Sequence, residues 1–279
     1  MKNNAVYIIA EIGINHNGSI DLIDQMIDAA KWCGVDAVKF QKRTIELVYT
    51  DEELQRPRDS PFGHTNGDLK RGLELSKETY EWIHKKCWAV GLEWSCSVWD
   101  PHSVDFLMRF DPPWIKIPSA LLTNEALLEK VSETKKPMIF STGMSSEEEI
   151  ERAIYFLDLP NSDLLTLLHC TSTYPCPDSE LNLSYIRTNP WVDQGYPIGF
   201  SSHSVSPWPC VMAVCMGAEV IEAHFTLDRS MFGSDQAASL EPKAFKKMVD
   251  EIRTFERAKG DGVKHVYDSE LPIREKLRR

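Results

Sequence analysis

The 279-residue sequence has 42% hydrophobic and 26% charged residues, with a formal net charge of −11. The hydrophobic share supports a globular core rather than long disorder, and the acidic balance argues against nucleic acid, whose binders present a basic face. Glu11 cuts the N-terminal apolar run too early for a signal peptide, and no other run can span a bilayer, so a cytoplasmic protein without membrane partners is expected.

The chain opens with a strand candidate at Val6–Ala10. Ser19 can then cap a helix whose Ile20, Ile23, Ile27 and Ala30 share one stripe. A second strand, Asp36–Gln41, leads into the longest irregular stretch, Lys42–Leu75, which carries Pro57, Pro61, Gly63, Gly67 and Gly72. Between strand and helix, such a segment usually forms a lid or rim. Ser76 caps a helix through Tyr80, Ile83 and Cys87, followed by strands Leu92–Ser97, Trp114–Pro118 and Met138–Ser141. Ser145 opens a helix with Glu147, Glu148 and Glu149 in its first turn, where the helix dipole favours acids. Strands Leu164–His169, Ile198–Phe200 and Glu219–Phe225 come next. Phe245, Met248, Val249, Ile252 and Phe255 then form one apolar stripe behind Pro242.

Most of these strands are continuous apolar runs, the pattern of strands buried on both faces. Eight of them alternating with helices predict an α/β chain folded as a single-domain (β/α)8 TIM barrel, with an open doubly wound sheet as the alternative. The barrel is expected over residues 1–260, with 261–279 as a C-terminal tail. The seven cysteines show no tight pairing and sit mostly in apolar segments, so they read as buried reduced thiols.

Barrel enzymes carry their chemistry at the C-terminal strand ends. Those ends read Glu11; Lys39 and Gln41; Ser95 and Ser97; Lys116 and Ser119; Ser141 and Thr142; His169 and Thr171; Ser201 and His203; Glu222 and His224. Burying such groups without partners is costly, so they imply a ligand. Lys39 and Lys116 can neutralise an anion, while Ser97, Ser119, Ser141 and Ser201 can donate hydrogen bonds to its oxygens. His203 and His224, at neighbouring strand ends, can hold one divalent metal as a Lewis acid. Anion site and Lewis acid together point to addition of an anionic carbon nucleophile to an aldehyde. A metal-assisted hydrolase of a phosphorylated compound fits the same residues. His169 reads as a buried, hydrogen-bonded group, and Trp94, Trp99, Trp114 and Trp208 read as packing. Glu11 could cap a loop or act chemically. The basic cluster Arg56, Arg58, Lys70 and Arg71 is a solvated surface unless the mouth brings it toward an anionic substrate.

In order along nearly the whole chain, several motifs resemble those of the sialic acid synthase family. They are Glu11-Ile12-Gly13-Ile14-Asn15-His16-Asn17-Gly18, Val38-Lys39-Phe40-Gln41, Ile115-Lys116-Ile117-Pro118-Ser119 and Ser141-Thr142-Gly143-Met144. Leu168-His169-Cys170-Thr171-Ser172-Thr173-Tyr174-Pro175, Gly199-Phe200-Ser201-Ser202-His203-Ser204, Ile221-Glu222-Ala223-His224-Phe225-Thr226 and Gly233-Ser234-Asp235 follow. The resemblance implies a barrel that condenses phosphoenolpyruvate with an N-acyl aminosugar such as N-acetylmannosamine, giving a nine-carbon 2-keto-3-deoxy sugar acid and phosphate. It implies His203 and His224 as ligands of Mn2+ or Mg2+. It places Lys39, Lys116, Ser97, Ser119, Ser141, Ser172 and Ser201 around phosphoenolpyruvate, and Glu11, Gln41, Tyr174 and Asp235 toward the sugar and reacting centre. Glu11 and Glu222 are its candidate proton handlers.

The family usually continues into a small antifreeze-like domain that contributes an arginine to a partner's sugar site. The resemblance here is to a short form, since the sequence stops about where the linker to that domain would begin. The Arg56–Arg71 loop is the expected substitute for that arginine. Ser172 stands for a common Asn, Ser97-Val98 for Thr-Pro, Ala223 for a common Lys and Gln236 for a His. The competing expectations are a synthase of another ulosonic acid from a different aldose and a non-catalytic sugar-binding barrel. Self-association is left open.

Overall fold

The computed structural model describes residues 5–159 and 162–278. Eight parallel strands close into a barrel: β1 (Tyr7–Gly13), β2 (Ala37–Lys42), β3 (Glu93–Val98), β4 (Ile115–Ile117), β5 (Met138–Ser141), β6 (Leu165–Cys170), β7 (Ile198–Ser202) and β8 (Val220–His224). Each strand pairs with its sequence neighbours, and β1 closes the ring by pairing with β8 through Tyr7–Val220 to Glu11–His224. The open-sheet alternative is thereby excluded.

Helices run between the strands: α1 (Ile20–Cys33), α2 (Lys77–Val90), α3 (Pro101–Met108), α4 (Glu125–Glu133), α5 (Glu147–Leu157), α6 (Tyr185–Thr188), α7 (Trp208–Cys215) and α8 (Pro242–Ala258). Ser19 and Ser76 cap α1 and α2, accepting from the backbone of Leu22 and Thr79. The cap of α5 is Ser146, one residue later than expected, because its hydroxyl and Glu149 form a reciprocal capping box. Ile20 lies outside the buried stripe of α1 and is 42% exposed.

The strands obey a period of two within an apolar-looking sequence. Ile8, Ala10, Ile12, Val38, Phe40, Ile115, Ile117, Phe140, Phe200 and Ile221 join the core between barrel and helices. Ile9, Ala37, Trp114, Ile139, Leu168 and Val220 form a separate apolar cluster at the lower barrel. One step further along the same inward rows come Glu11, Lys39, Ser141, Cys170 and Glu222. The apolar layer therefore closes the bottom of the barrel, and the polar layer above it faces the mouth. Gly199 makes this narrow interior possible, since a Cβ there would strike the Val220 carbonyl and the Leu168 side chain.

The stretch expected to be irregular, Lys42–Leu75, is largely ordered. It contains short helices at Ile45–Val48, Asp51–Gln55 and Asn66–Leu73, and a hairpin pairing Pro57–Ser60 with Gly63–Thr65. Capping boxes start the second and third of these helices, Thr50 with Glu53 and Thr65 with Asp68. These local side-chain bonds stabilise turns too short to show a hydrophobic period. Beyond α8 every described residue is exposed, including a short helix at Leu271–Leu277. All seven cysteines are free, and only Cys215 is exposed. Among the described residues, no helix is long and apolar enough to cross a membrane.

Candidate active site

The barrel mouth holds a cavity of about 550 Å3. Its walls include Glu11, Lys39, Gln41, Ser97, Lys116, Ser119, Ser141, Ser172, Tyr174, Ser201, His203, Glu222, His224 and Asp235, so the fold gathers every site residue singled out in the sequence. Other strand-end residues serve the scaffold. Ser95 donates to the Trp114 carbonyl and Thr142 to that of Leu168, while His169 bonds the Leu181 carbonyl at 2.8 Å.

The floor of the cavity is a buried charge network. Lys39 Nζ lies 2.6 Å from Glu11 Oε2, 2.6 Å from Ser97 Oγ and 3.7 Å from Glu222 Oε2. Lys116 Nζ donates to Ser141 Oγ at 2.6 Å and lies 3.5 Å from Glu222 Oε1. Ser201 donates to that same Glu222 oxygen at 3.1 Å, and Gln41 Nε2 donates to Glu11 Oε1 at 3.0 Å. Glu222 thus sits between the two lysines. Burial alone would raise its carboxyl, but Lys116 and Lys39 outweigh that and hold it down at about 2. Burial raises Glu11 despite Lys39. Burial lowers Lys116 despite Glu222, so its ammonium would gain from an added anion.

A polar cradle lies beside Lys116. The Gly143 N–H donates to Ser119 Oγ at 3.0 Å, and a Cβ on Gly143 would collide with Ser172 Oγ. Backbone and two hydroxyls converge there only because residue 143 has no side chain.

At the ends of β7 and β8 the imidazoles of His203 and His224 have ring centres 5.4 Å apart, with the Tyr174 ring 3.9 Å from that of His203. His203 Nδ1 donates to the Thr171 carbonyl at 2.8 Å, and Cys170 Sγ lies 3.9 Å from the same nitrogen. This leaves the second ring nitrogen of His203 for a ligand. His224 Nδ1 is buried with no hydrogen-bond partner, 3.9 Å from Asp235 Oδ2. Burial brings His224 down to about 4, so its imidazole is neutral, the ligating form. An orphaned buried nitrogen and a second imidazole beside it fit a divalent ion whose remaining ligands come from substrate and water. Among the described residues, no group of three or more His, Cys, Asp or Glu is arranged to hold a metal.

Four further wall residues escaped the sequence reading or were misplaced by it. Arg43 stacks on Trp99, with its guanidinium carbon 4.3 Å from the ring centre. Lys70 Nζ lies 4.9 Å from the Tyr49 ring. Trp99 therefore lines the cavity, and Trp208 is 44% exposed, so neither is the plain packing residue expected. Of the basic cluster in the β2–α2 segment, only Lys70 is in the cavity wall. Arg56 and Arg71 pair with exposed Glu52 and Glu46, and Arg58 reaches Asn66. The Arg56–Arg71 loop expected to stand in for the arginine therefore reaches the cavity wall through Lys70 and not through its three arginines. Position 43, two residues beyond Gln41 on the same inward row, was the available signal for Arg43.

The NeuB family profile matches residues 26–264. The chain is 37% identical over 273 residues to N-acetylneuraminate-9-phosphate synthase of Homo sapiens, covering 97% of this chain and 76% of that protein. It is 38% identical over 280 residues to N,N'-diacetyllegionaminic acid synthase of Legionella pneumophila, covering 98% and 78%. Among solved structures, an N-acetylneuraminic acid (sialic acid) synthetase of Leptospira borgpetersenii, in complex with citrate, superposes with a TM-score of 0.84 at 30% identity, covering 99% and 94%. With its closed barrel and its buried lysine–carboxylate cavity, the chain belongs to the NeuB family and is an enzyme of the sialic acid synthase type.

Proposed function

We propose that the protein condenses phosphoenolpyruvate with an open-chain N-acyl aminosugar such as N-acetylmannosamine, releasing a nonulosonate and inorganic phosphate. The observation that carries this reading is the pair Lys39–Ser97 and Lys116–Ser141 flanking Glu222 in the cavity that also holds two facing imidazoles.

Lys39 and Lys116 hold the anionic enolpyruvate, with Ser119, Ser172 and the Gly143 N–H cradling its oxygens. Glu222 serves as the common counter-charge that keeps both ammonium groups on one level. Gln41, Tyr174 and Asp235 face the sugar. C3 of the enolpyruvate bonds to the aldehyde carbon, whose oxygen takes up a proton. Water adds at C2, and phosphate leaves with its C–O bond. Glu11, whose carboxyl is raised by burial, would hold the proton for the new hydroxyl. His203 and His224 would hold Mn2+ or Mg2+, which supplies Lewis-acid polarisation of a carbonyl when bound. A reducing cytoplasmic setting is part of this reading, supported by seven free cysteines.

The test is phosphate release from phosphoenolpyruvate across a panel of aldoses, with and without EDTA and added manganese. Release that needs an aldose, stops with EDTA and returns with manganese is expected. Release without any aldose would make the protein a phosphohydrolase, and no release with any aldose would leave a binding barrel.

A further inference from the structure

Gln41 stands in the cavity wall between an acid and a cation. Its Nε2 donates to Glu11 Oε1 at 3.0 Å, and its Oε1 accepts from the Arg43 guanidinium. A glutamine amide has one donor end and one acceptor end, and network partners decide which way it points. Glu11 alone does not decide it, because a carboxyl accepts when ionised and donates when it carries a proton. Arg43 does decide it, because a guanidinium only donates. Turned over, the amide would set its N–H groups against the Arg43 donors. Glu11 Oε2 in turn lies 2.6 Å from Lys39 Nζ, so one line of contacts runs from Arg43 at the rim through Gln41 and Glu11 to the floor.

Arg43 is itself fixed from several sides. Its guanidinium carbon lies 4.3 Å from the centre of the Trp99 ring. The Trp99 N–H donates to the Lys42 carbonyl at 3.1 Å, which carries the pairing of β2 with β3 one step past its last register pair, Lys42–Val98. The backbone N–H of Arg43 donates to Glu74 Oε1 at 3.3 Å, and Glu74 also pairs with Lys42. Asp100 accepts from the Thr44 N–H at 2.7 Å and from the Thr44 hydroxyl at 3.0 Å. Residues 42, 43 and 44 are each tied to a neighbouring element. Glu74 follows the last helix of the β2–α2 segment, so the end of that segment returns to hold its beginning. A side chain held in this way is preorganised to act on its neighbour.

We propose that Arg43 is a positioning residue for the reaction: it locks the Gln41 amide in the orientation that presents an N–H, rather than a carbonyl, to an oxygen of the aldose. The inference rests on the condensation reading above for the identity of that ligand. With one Nε2 hydrogen on Glu11 and Oε1 on Arg43, the second Nε2 hydrogen is the donor left for substrate. Without Arg43 the amide loses the anchor that cannot reverse, and the aldose meets a mixture of orientations. Arg43 acts through Gln41 and needs no contact with substrate of its own.

The test is a double-mutant cycle between Arg43→Met, whose side chain can still lie on Trp99, and Gln41→Ala. Kinetics use phosphoenolpyruvate and N-acetylmannosamine with manganese present. Arg43→Met is expected to lower kcat/KM for the sugar about 10-fold, the lower end for one charge-assisted hydrogen bond, and to leave KM for phosphoenolpyruvate unchanged. Arg43→Lys should recover part of the loss, because an ammonium also only donates. In the Gln41→Ala background Arg43→Met should cost nothing further. A second readout needs no turnover: in protein labelled with 15N at glutamine side chains, the amide signal that vanishes in Gln41→Ala belongs to Gln41. Its hydrogens should exchange with water faster in Arg43→Met than in the parent. Losses that multiply in the double variant would show Arg43 acting on substrate directly, and an unchanged Gln41 amide signal would show that it fixes nothing; either overturns the proposal. If the parent consumes no phosphoenolpyruvate with the sugar, the condensation reading falls, and the amide signal still decides whether Arg43 holds Gln41.

Discussion

Lys116 shows how a single residue couples burial to ligand choice. Its flanking residues Ile115 and Ile117 turn out to the helices, and its own side chain turns into the barrel at 2% exposure. Desolvation holds its ammonium below the ordinary lysine range, and Glu222 compensates only in part. An anion binds the charged form, so affinity is full below the depressed pKa of the free site. It falls as pH rises through that pKa, with a proton taken up on binding in the same range. Calorimetric titration of phosphoenolpyruvate in two buffers of different ionisation enthalpy, at increasing alkaline pH, measures both effects. A flat affinity without proton uptake would remove Lys116 from the anion site. Individual residues of this kind were legible early, because a lysine inside an apolar strand has no cheap structural explanation. Arg43 was not, because it follows the strand and reads as an ordinary surface cation until Trp99 is seen beneath it.

At the scale of elements, the strand positions were readable and their depth was not. The apolar runs located all eight strands, with ends that moved by up to three residues, as at β1, which extends to Gly13. Which alternate residue faces inward follows from register, and register comes from pairing across the whole ring. β7 carries the strictest demand, since Gly199 lies where β6 and β8 crowd the interior. Gly199→Ala is expected to destabilise the barrel by about 1–3 kcal/mol through overpacking. Urea unfolding measures this, and a midpoint equal to the parent's would show that β7 can shift without cost. The β2–α2 segment was misread as irregular because its order comes from two capping boxes and a hairpin. The Thr-x-x-Glu and Thr-x-x-Asp spacings were visible at Thr50 and Thr65, but no hydrophobic period accompanied them.

For the whole molecule, the barrel core ends with α8. Phe245, Met248, Val249 and Ile252 pack inward from that helix, while Arg257–Arg278 is exposed throughout. Arg253 ties α8 back to the start of the chain, bonding the Val6 carbonyl at 2.8 Å and Asp36 at 2.9 Å. Removal of residues 261–279 is therefore expected to leave unfolding free energy within about 0.5 kcal/mol of the parent, the scatter of ordinary surface changes. Thermal and denaturant melts of the shortened chain provide the measurement. A large loss would mean that the tail covers the barrel in solution.

The sequence by itself determined the eight alternating units, the barrel class and the identity of the chemical groups at its mouth. These follow from local patterns: apolar runs, caps, and polar residues placed where a core would exclude them. Only the tertiary structure decided that Glu222 stands between Lys39 and Lys116, that His224 keeps an unpartnered nitrogen beside His203, and that Arg43 and Lys70 line the same cavity. Those relations join residues from different strands and from a segment with no period of its own. Their distances exist only once the ring has closed.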